Sequence, residues 1–157
     1  MSDPATSESL GAIQDRTFAR ASPATTGSYP PERRLSDAQL AAYLDRRAFA
    51  VIGSARRDGR PHAAMSSYVR RGATFWLPTV PDSVRERNAR GIPWLTMVVQ
   101  QGDRGAHIAV LIEGPAEMVA MDEVPADVRA AVQGDWTGDW IRLTAQRVLS
   151  YATEGSL

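Results

Sequence analysis

Residues 49–80 read FAVIGSARRDGRPHAAMSSYVRRGATFWLPTV, and this stretch decides the fold. Phe49 to Ala55 is apolar and partly β-branched, the composition of a strand. Asp58-Gly59 follows, a dipeptide that reaches the positive-φ backbone of a tight hairpin turn. Pro61 to Arg71 is then the returning strand, with Pro61 at its start, where a missing N–H costs no ladder bond. Arg71-Gly72 turns the chain again, and Thr74 to Val80 forms a third strand. Three strands joined by tight turns make an antiparallel meander.

Downstream of the meander, Pro81-Asp82-Ser83 opens a short helix, Val84 to Arg90, which Gly91 ends. Trp94 to Gln101 reads as a strand and Gly102 to Gly105 as a turn. Ala106 to Val119 is a long strand interrupted at Gly114-Pro115, the mark of a bulge or barrel corner. Pro125 to Gln133 reads as a helix, and Ile141 to Tyr151 as the last strand. Between them Gly-Asp-Trp occurs twice, at Gly134 and at Gly138. That loop offers Trp136 and Trp140 either for packing or for stacking over a ligand as a lid.

Upstream, Ser36 and Gln39 have capping-box spacing, and Leu35 and Leu40 have hydrophobic-staple spacing. They predict a helix over Asp37 to Arg47. Residues 1–34 are rich in Ser, Thr, Ala and Pro without an apolar period and read as a flexible N-terminal arm. Residues 35–157 are then the ordered domain. The pattern is helix, three strands, short helix, two strands, helix, strand. It predicts a mainly β (α+β) domain, a six-stranded antiparallel split β-barrel with short flanking helices. The strands are not separated by helices of crossover length and no G-x-G-x-x-G occurs, which argues against a dinucleotide-binding parallel sheet.

Composition removes several chemistries. The 157 residues suffice for one domain. There is no cysteine, so thiolate catalysis and cysteine-bound metals are excluded. His62 and His107 are the only histidines and fall on different strands, so no metal site is expected. All 18 basic residues are arginine, so no lysine is present to form a Schiff base. Net charge is zero, which argues against nucleic acid or an anionic membrane as partner. No run reaches the roughly 18 apolar residues of a membrane span and the N-terminus is polar, so a cytoplasmic location is expected. G-x-S-x-G, P-loop and H-E-x-x-H motifs are all missing.

Two features remain. Thr79 ends a strand, Ser83 opens a helix and Arg85 stands two residues in, so that hydroxyls, free helix-start amides and a guanidinium form a candidate phosphate cradle. An ordinary capped surface helix has the same local sequence. The second strand carries small residues around Ala64, Met65 and Ser66, which leaves a shallow trough for a flat ring, or simply the tight packing of a small barrel.

Together, in order, these features resemble the pyridoxamine 5'-phosphate oxidase-like split barrels that bind flavin or deazaflavin. The residues concerned are Arg57 to His62 at the first hairpin and Thr74 to Thr79 on the third strand. Ser83-Val84-Arg85-Glu86-Arg87-Asn88 matches a Ser-x-Lys-x-x-Asn pattern, and Glu113 to Glu117 matches a Gly-x-Ala-Glu segment. Arg147 to Tyr151 is similar to the family's last strand. The resemblance implies a homodimer with cofactor sites at the subunit interface and hydride transfer between FMN, or coenzyme F-420, and a small organic substrate. It places Ser83, Arg85 and Thr79 on the phosphate, and Ala64, Met65 and Ser66 along the ring, with Asn88 supporting the loop. Arg85 stands where the family has lysine, and Ala64 where the true oxidases have an arginine, so pyridoxine phosphate oxidation itself is not implied. The acidic tail of F-420 needs further basic groups, for which Arg56, Arg57, Arg60 and Arg87 are candidates. A non-catalytic cofactor- or ligand-binding barrel of the same fold has the same sequence features.

Overall fold

The computed structural model describes residues 8–132, 134 and 136–157. The first hairpin forms as the sequence predicts: β1 (Phe49–Ala55) pairs antiparallel with β2 (Pro61–Ser67), and Gly59 turns between them at φ 85°. The returning strand does not run on to Arg71. It breaks at Tyr68, a buried corner whose hydroxyl donates to the Leu44 carbonyl at 2.6 Å. After that corner β3 (Val69–Arg71) leaves β1 and pairs instead with β4 (Thr74–Pro78).

Two long strands organise the rest. β5 (Trp94–Gly102) pairs along its length with the first part of β6 (His107–Val119) and, on its other edge, with β1. The expected single last strand is a hairpin of β7 (Trp140–Thr144) and β8 (Arg147–Ala152). β6 lends its free edge to both. β8 takes residues 108–113 and β7 takes residues 116–119. The exchange falls at Gly114-Pro115, the expected corner. A side chain at Gly114 would begin 1.8 Å from the Thr144 carbonyl oxygen, so only glycine admits this approach. The sheet therefore has eight strands rather than six, in the order β2-β1-β5-β6-β7-β4-β3 with β8 also on β6, and it does not close into a ring.

One set of alternating residues, including Ile52, Phe75, Leu95, Met97, Ile112 and Leu143, fills the main core. Each such buried side chain contributes about 1.5–3 kcal/mol. A second, smaller core joins Trp76, Val119, Val124, Val128 and Trp140. Trp140 is thus a packing residue and not a lid, and Trp136 packs partly against the same cluster. The helix of that region spans only Ala126–Ala130, and Asp135, within the repeated Gly-Asp-Trp, lies outside the described residues.

The expectation of a flexible arm over residues 1–34 needs correction where the chain is described. α1 (Leu10–Ala19) and α2 (Pro23–Ser28) precede the expected α3 (Asp37–Arg46), which carries the full Ser36–Gln39 capping box. α1 packs on β8 and buries Leu10 and Ile13 in the main core. Its polar residues are used as well. Gln14 Nε2 donates to the Leu35 carbonyl at 2.8 Å, the Ser150 hydroxyl donates to Gln14 Oε1 and accepts from Leu35 N, and Thr17 Oγ1 accepts from Val148 N.

Candidate functional site

α4 (Val84–Gly91) begins because Ser83 caps it, the hydroxyl accepting from Glu86 N at 3.2 Å. It ends at Gly91, ahead of Pro93. The turn into it is tight: Asp82 adopts φ 61°, a left-handed conformation that Asp tolerates better than most residues. Asp82 N donates to Glu86 Oε2 at 2.6 Å. Arg85, Asn88 and Ala89, at i, i+3 and i+4, form the buried face, which lies against β1 and β2.

That face is polar. Asn88 Nδ2 donates to Ser54 Oγ at 2.9 Å, which ties α4 to β1. Arg85 is only 9 % exposed. Its Nη2 donates to the Pro78 carbonyl at 3.0 Å and its Nη1 to the Met65 carbonyl at 3.5 Å, while its buried Nε has no partner. Burial pushes its pKa below the ordinary arginine value, because desolvation disfavours the charged form. Arginine stays protonated regardless. No described carboxylate lies within ion-pairing distance of it. A buried, uncompensated cation is costly unless an anion completes it.

The structure brings Met65, Arg85 and the end of β4 together, with Ser83 two residues from Arg85. It does not bring all the expected residues onto one surface. Strand alternation puts Ala64 and Ser66 on the inner face of β2 and Met65 on the outer face, where it is 63 % exposed. Thr79 is buried and its hydroxyl donates to the Leu77 carbonyl, so a phosphate contact would require that bond to be exchanged. At the helix start the amides of Val84 and Arg85 have no partner among the described residues, which with the helix dipole favours an anion there. The Glu86 carboxylate, held by Asp82 N and Arg90, offsets part of that field. These groups fit a phosphate better than a neutral ligand. Arg85 is the buried cation, the free amides are donors, and the Ser83 hydroxyl keeps its proton.

The shallow trough lies one residue over from its expected place. Gly53 and Ala63 form its floor on the outer face, and Trp94, Thr96 and Ile92 form its side, around a cavity of about 480 Å³. His62 also borders it, with a buried Nδ1 that has no partner. The signal that finds this trough is the two-residue period of β2, which turns Ala63 rather than Ala64 outward. Tyr68 is a corner of the fold with its proton committed to the Leu44 carbonyl. Among the described residues no cluster of metal-ligating side chains occurs, and no helix is long and apolar enough to cross a membrane.

Known structures share this architecture. A conserved hypothetical protein of Mycobacterium tuberculosis superposes with a TM-score of 0.67 at 22% identity, covering 79% of this chain and 89% of that one. An FAD-binding protein of Mycobacterium smegmatis gives 0.63 at 17% identity, covering 76% and 97%. An FAD-binding protein of Mesorhizobium loti gives 0.61 at 14%, covering 78% and 98%. At such identities the likeness concerns the fold alone. No curated protein matches the chain significantly. A family model does match, that of pyridoxamine 5'-phosphate oxidase, over residues 36–152, from the α3 cap to the end of β8. With its motifs in order on a split eight-stranded sheet, this chain belongs to the pyridoxamine 5'-phosphate oxidase family.

Proposed function

We propose that the protein is a homodimeric flavin-type oxidoreductase of the cytoplasm, which transfers hydride between FMN, or the deazaflavin coenzyme F-420, and a small organic substrate. The single observation that carries this reading is Arg85, buried and, among the described residues, without a counter-anion, at a helix start whose first amides have no described partner. Arg85 and Ser83 hold the cofactor phosphate, with Thr79 behind them. The β2 segment of Ala64, Met65 and Ser66 offers its backbone and the exposed Met65 to the ring. The ring, when bound, supplies two-electron hydride chemistry. The chain's own work is to orient the ring, exclude water and present the substrate, with His62 the one described titratable side chain at the trough.

The second subunit is supported by the outer face of the sheet. At one register Met65, Val51, Val98, Leu111 and Leu149 form a row across β2, β1, β5, β6 and β8, all apolar and all on the side away from the core. Met65, Val51 and the neighbouring Phe49 are exposed, Val98 and Leu111 are half-buried, and Leu149 at the far end is already buried. Monomeric proteins rarely leave such a patch to water.

The test is the visible absorbance spectrum of the purified chain, followed by titration with FMN and with F-420. Micromolar binding of one of them is expected. Arg85→Met is expected to weaken that binding at least tenfold, roughly 1.4 kcal/mol or more. A folded protein that binds neither overturns the reading. Turnover of model electron acceptors then separates a catalyst from a carrier of the same cofactor.

A further inference from the structure

A second cleft, of about 470 Å³, is walled in part by a segment outside the family region. α1 and the start of α2 supply Arg16, Arg20 and Thr25, and residues 16–25 precede the matched stretch 36–152. The β7–β8 turn supplies Gln146 and Arg147. Trp94, the first residue of β5, lines this cleft and also the trough, so the two cavities share one indole wall. The outer row Gly53, Thr96, Glu113, Arg147 runs across the sheet from the trough to the cleft.

Most charges here are committed. Arg16 donates to Glu8 at 2.7 Å and to the Gln146 carbonyl at 3.3 Å, which ties α1 to the β7–β8 turn. Arg147 holds Glu113 at 3.1 Å. Arg20, which caps the end of α1, is exposed and has no ion pair among the described residues. With the two pairs cancelling, the cleft carries one net positive charge, which suits a monoanion such as a carboxylate. Trp94 is the apolar counterpart. It is 39 % exposed, and no described ring or guanidinium stacks on it. Its backbone is held between Pro93 and its register partner Pro115, and the Pro93 carbonyl accepts from Ala116 N at 2.9 Å. A fixed, uncovered indole and an uncommitted guanidinium on one cavity select a flat apolar body that ends in a planar anion. A cavity of this size suits a small organic ligand.

We infer that this cleft binds a planar aromatic carboxylate, its carboxylate on Arg20 and its ring on Trp94, and that such acids are the organic substrates of the proposed hydride transfer. The substrate role rests on the flavin reading, and the binding does not.

The probe is naphthoate, titrated calorimetrically into the full chain without cofactor. Saturable binding is expected, at least tenfold tighter than that of the neutral analogue naphthylmethanol. Arg20→Gln is expected to weaken it at least tenfold with an unchanged circular dichroism spectrum, and Trp94→Leu to weaken it similarly. Arg104→Gln, on the β5–β6 turn, leaves it unchanged. No saturable binding, or equal affinity in Arg20→Gln and the unaltered chain, overturns the inference. The titration is then repeated on the chain saturated with FMN or with F-420. Naphthoate bound beside the cofactor, with a shift of the cofactor's visible spectrum that Arg20→Gln abolishes, upholds the substrate role. Exclusion of naphthoate by the bound cofactor, or binding that leaves the cofactor's spectrum unmoved, overturns that role. A chain that binds naphthoate through Arg20 but binds neither cofactor keeps the cleft as an acid-binding site and loses the flavin reading instead.

Discussion

Two rows of residues cross the same five strands one position apart. Ala64, Ile52, Met97, Ile112 and Val148 face the core, where the last four are essentially inaccessible. Met65, Val51, Val98, Leu111 and Leu149 face outward. In a sheet with one wet face the second row would be polar. Here both are apolar, so Phe49 to Ile52 is a continuous apolar run, as in strands covered on both sides. The inner row is covered by the protein itself. The outer row identifies the surface that a second subunit covers in the proposed dimer. The same sheet thus separates what holds the fold from what builds the site.

Substitutions in the two rows should therefore fail differently. Met97→Ala empties space in the main core and is expected to cost about 2–5 kcal/mol in urea unfolding. A cost below about 1 kcal/mol would mean that this row is not the core. Val51→Asp should leave the chain folded but shift it from dimer to monomer in sedimentation. It should also abolish the rise of Tm with protein concentration that a dimer shows. The smallest effect concerns the corner that ends β2. Burial pushes the Tyr68 phenol well above its ordinary pKa. Unfolded tyrosine ionises near pH ~10. Above that pH the unfolded state releases a proton that folded Tyr68 keeps, so stability falls as pH rises from there towards the folded value. Tyr68→Phe is expected to cost about 1 kcal/mol at neutral pH through the lost bond to Leu44. It should also flatten the alkaline decline, and an unchanged decline would assign it to other groups.

Local chemistry made much of the fold legible in the sequence. Asp58-Gly59 set the hairpin, Ser36 and Gln39 the α3 cap, and Gly114-Pro115 the point where β6 changes partners. What escaped was decided by distant contacts. α1 looked unstructured because two of its buried positions are Gln14 and Thr17, whose use depends on Leu35, Val148 and Ser150, over a hundred residues away in two cases. The breaks at Tyr68 and between β7 and β8 arise because strands change partners, which no local propensity records. At the site, the Ser83 cap and the neighbourhood of Arg85 and Met65 were readable. The inward turn of Arg85, the buried Thr79 hydroxyl and the one-residue offset of the trough were not, because each depends on which face of an element meets the core.

The central claim, a flavin-type site completed at the outer face, is tested most directly by titrating Val51→Asp with FMN beside the unaltered chain. Val51 lies on the apolar row of β1, opposite Met65, and is part of neither the Ser83 cap nor the hydrogen bonds of Arg85. The account predicts that loss of the dimer weakens FMN binding at least tenfold while the helix-start residues stay intact. A monomeric Val51→Asp protein that binds FMN as tightly as the unaltered chain would contradict it, because the site would then lie within one subunit.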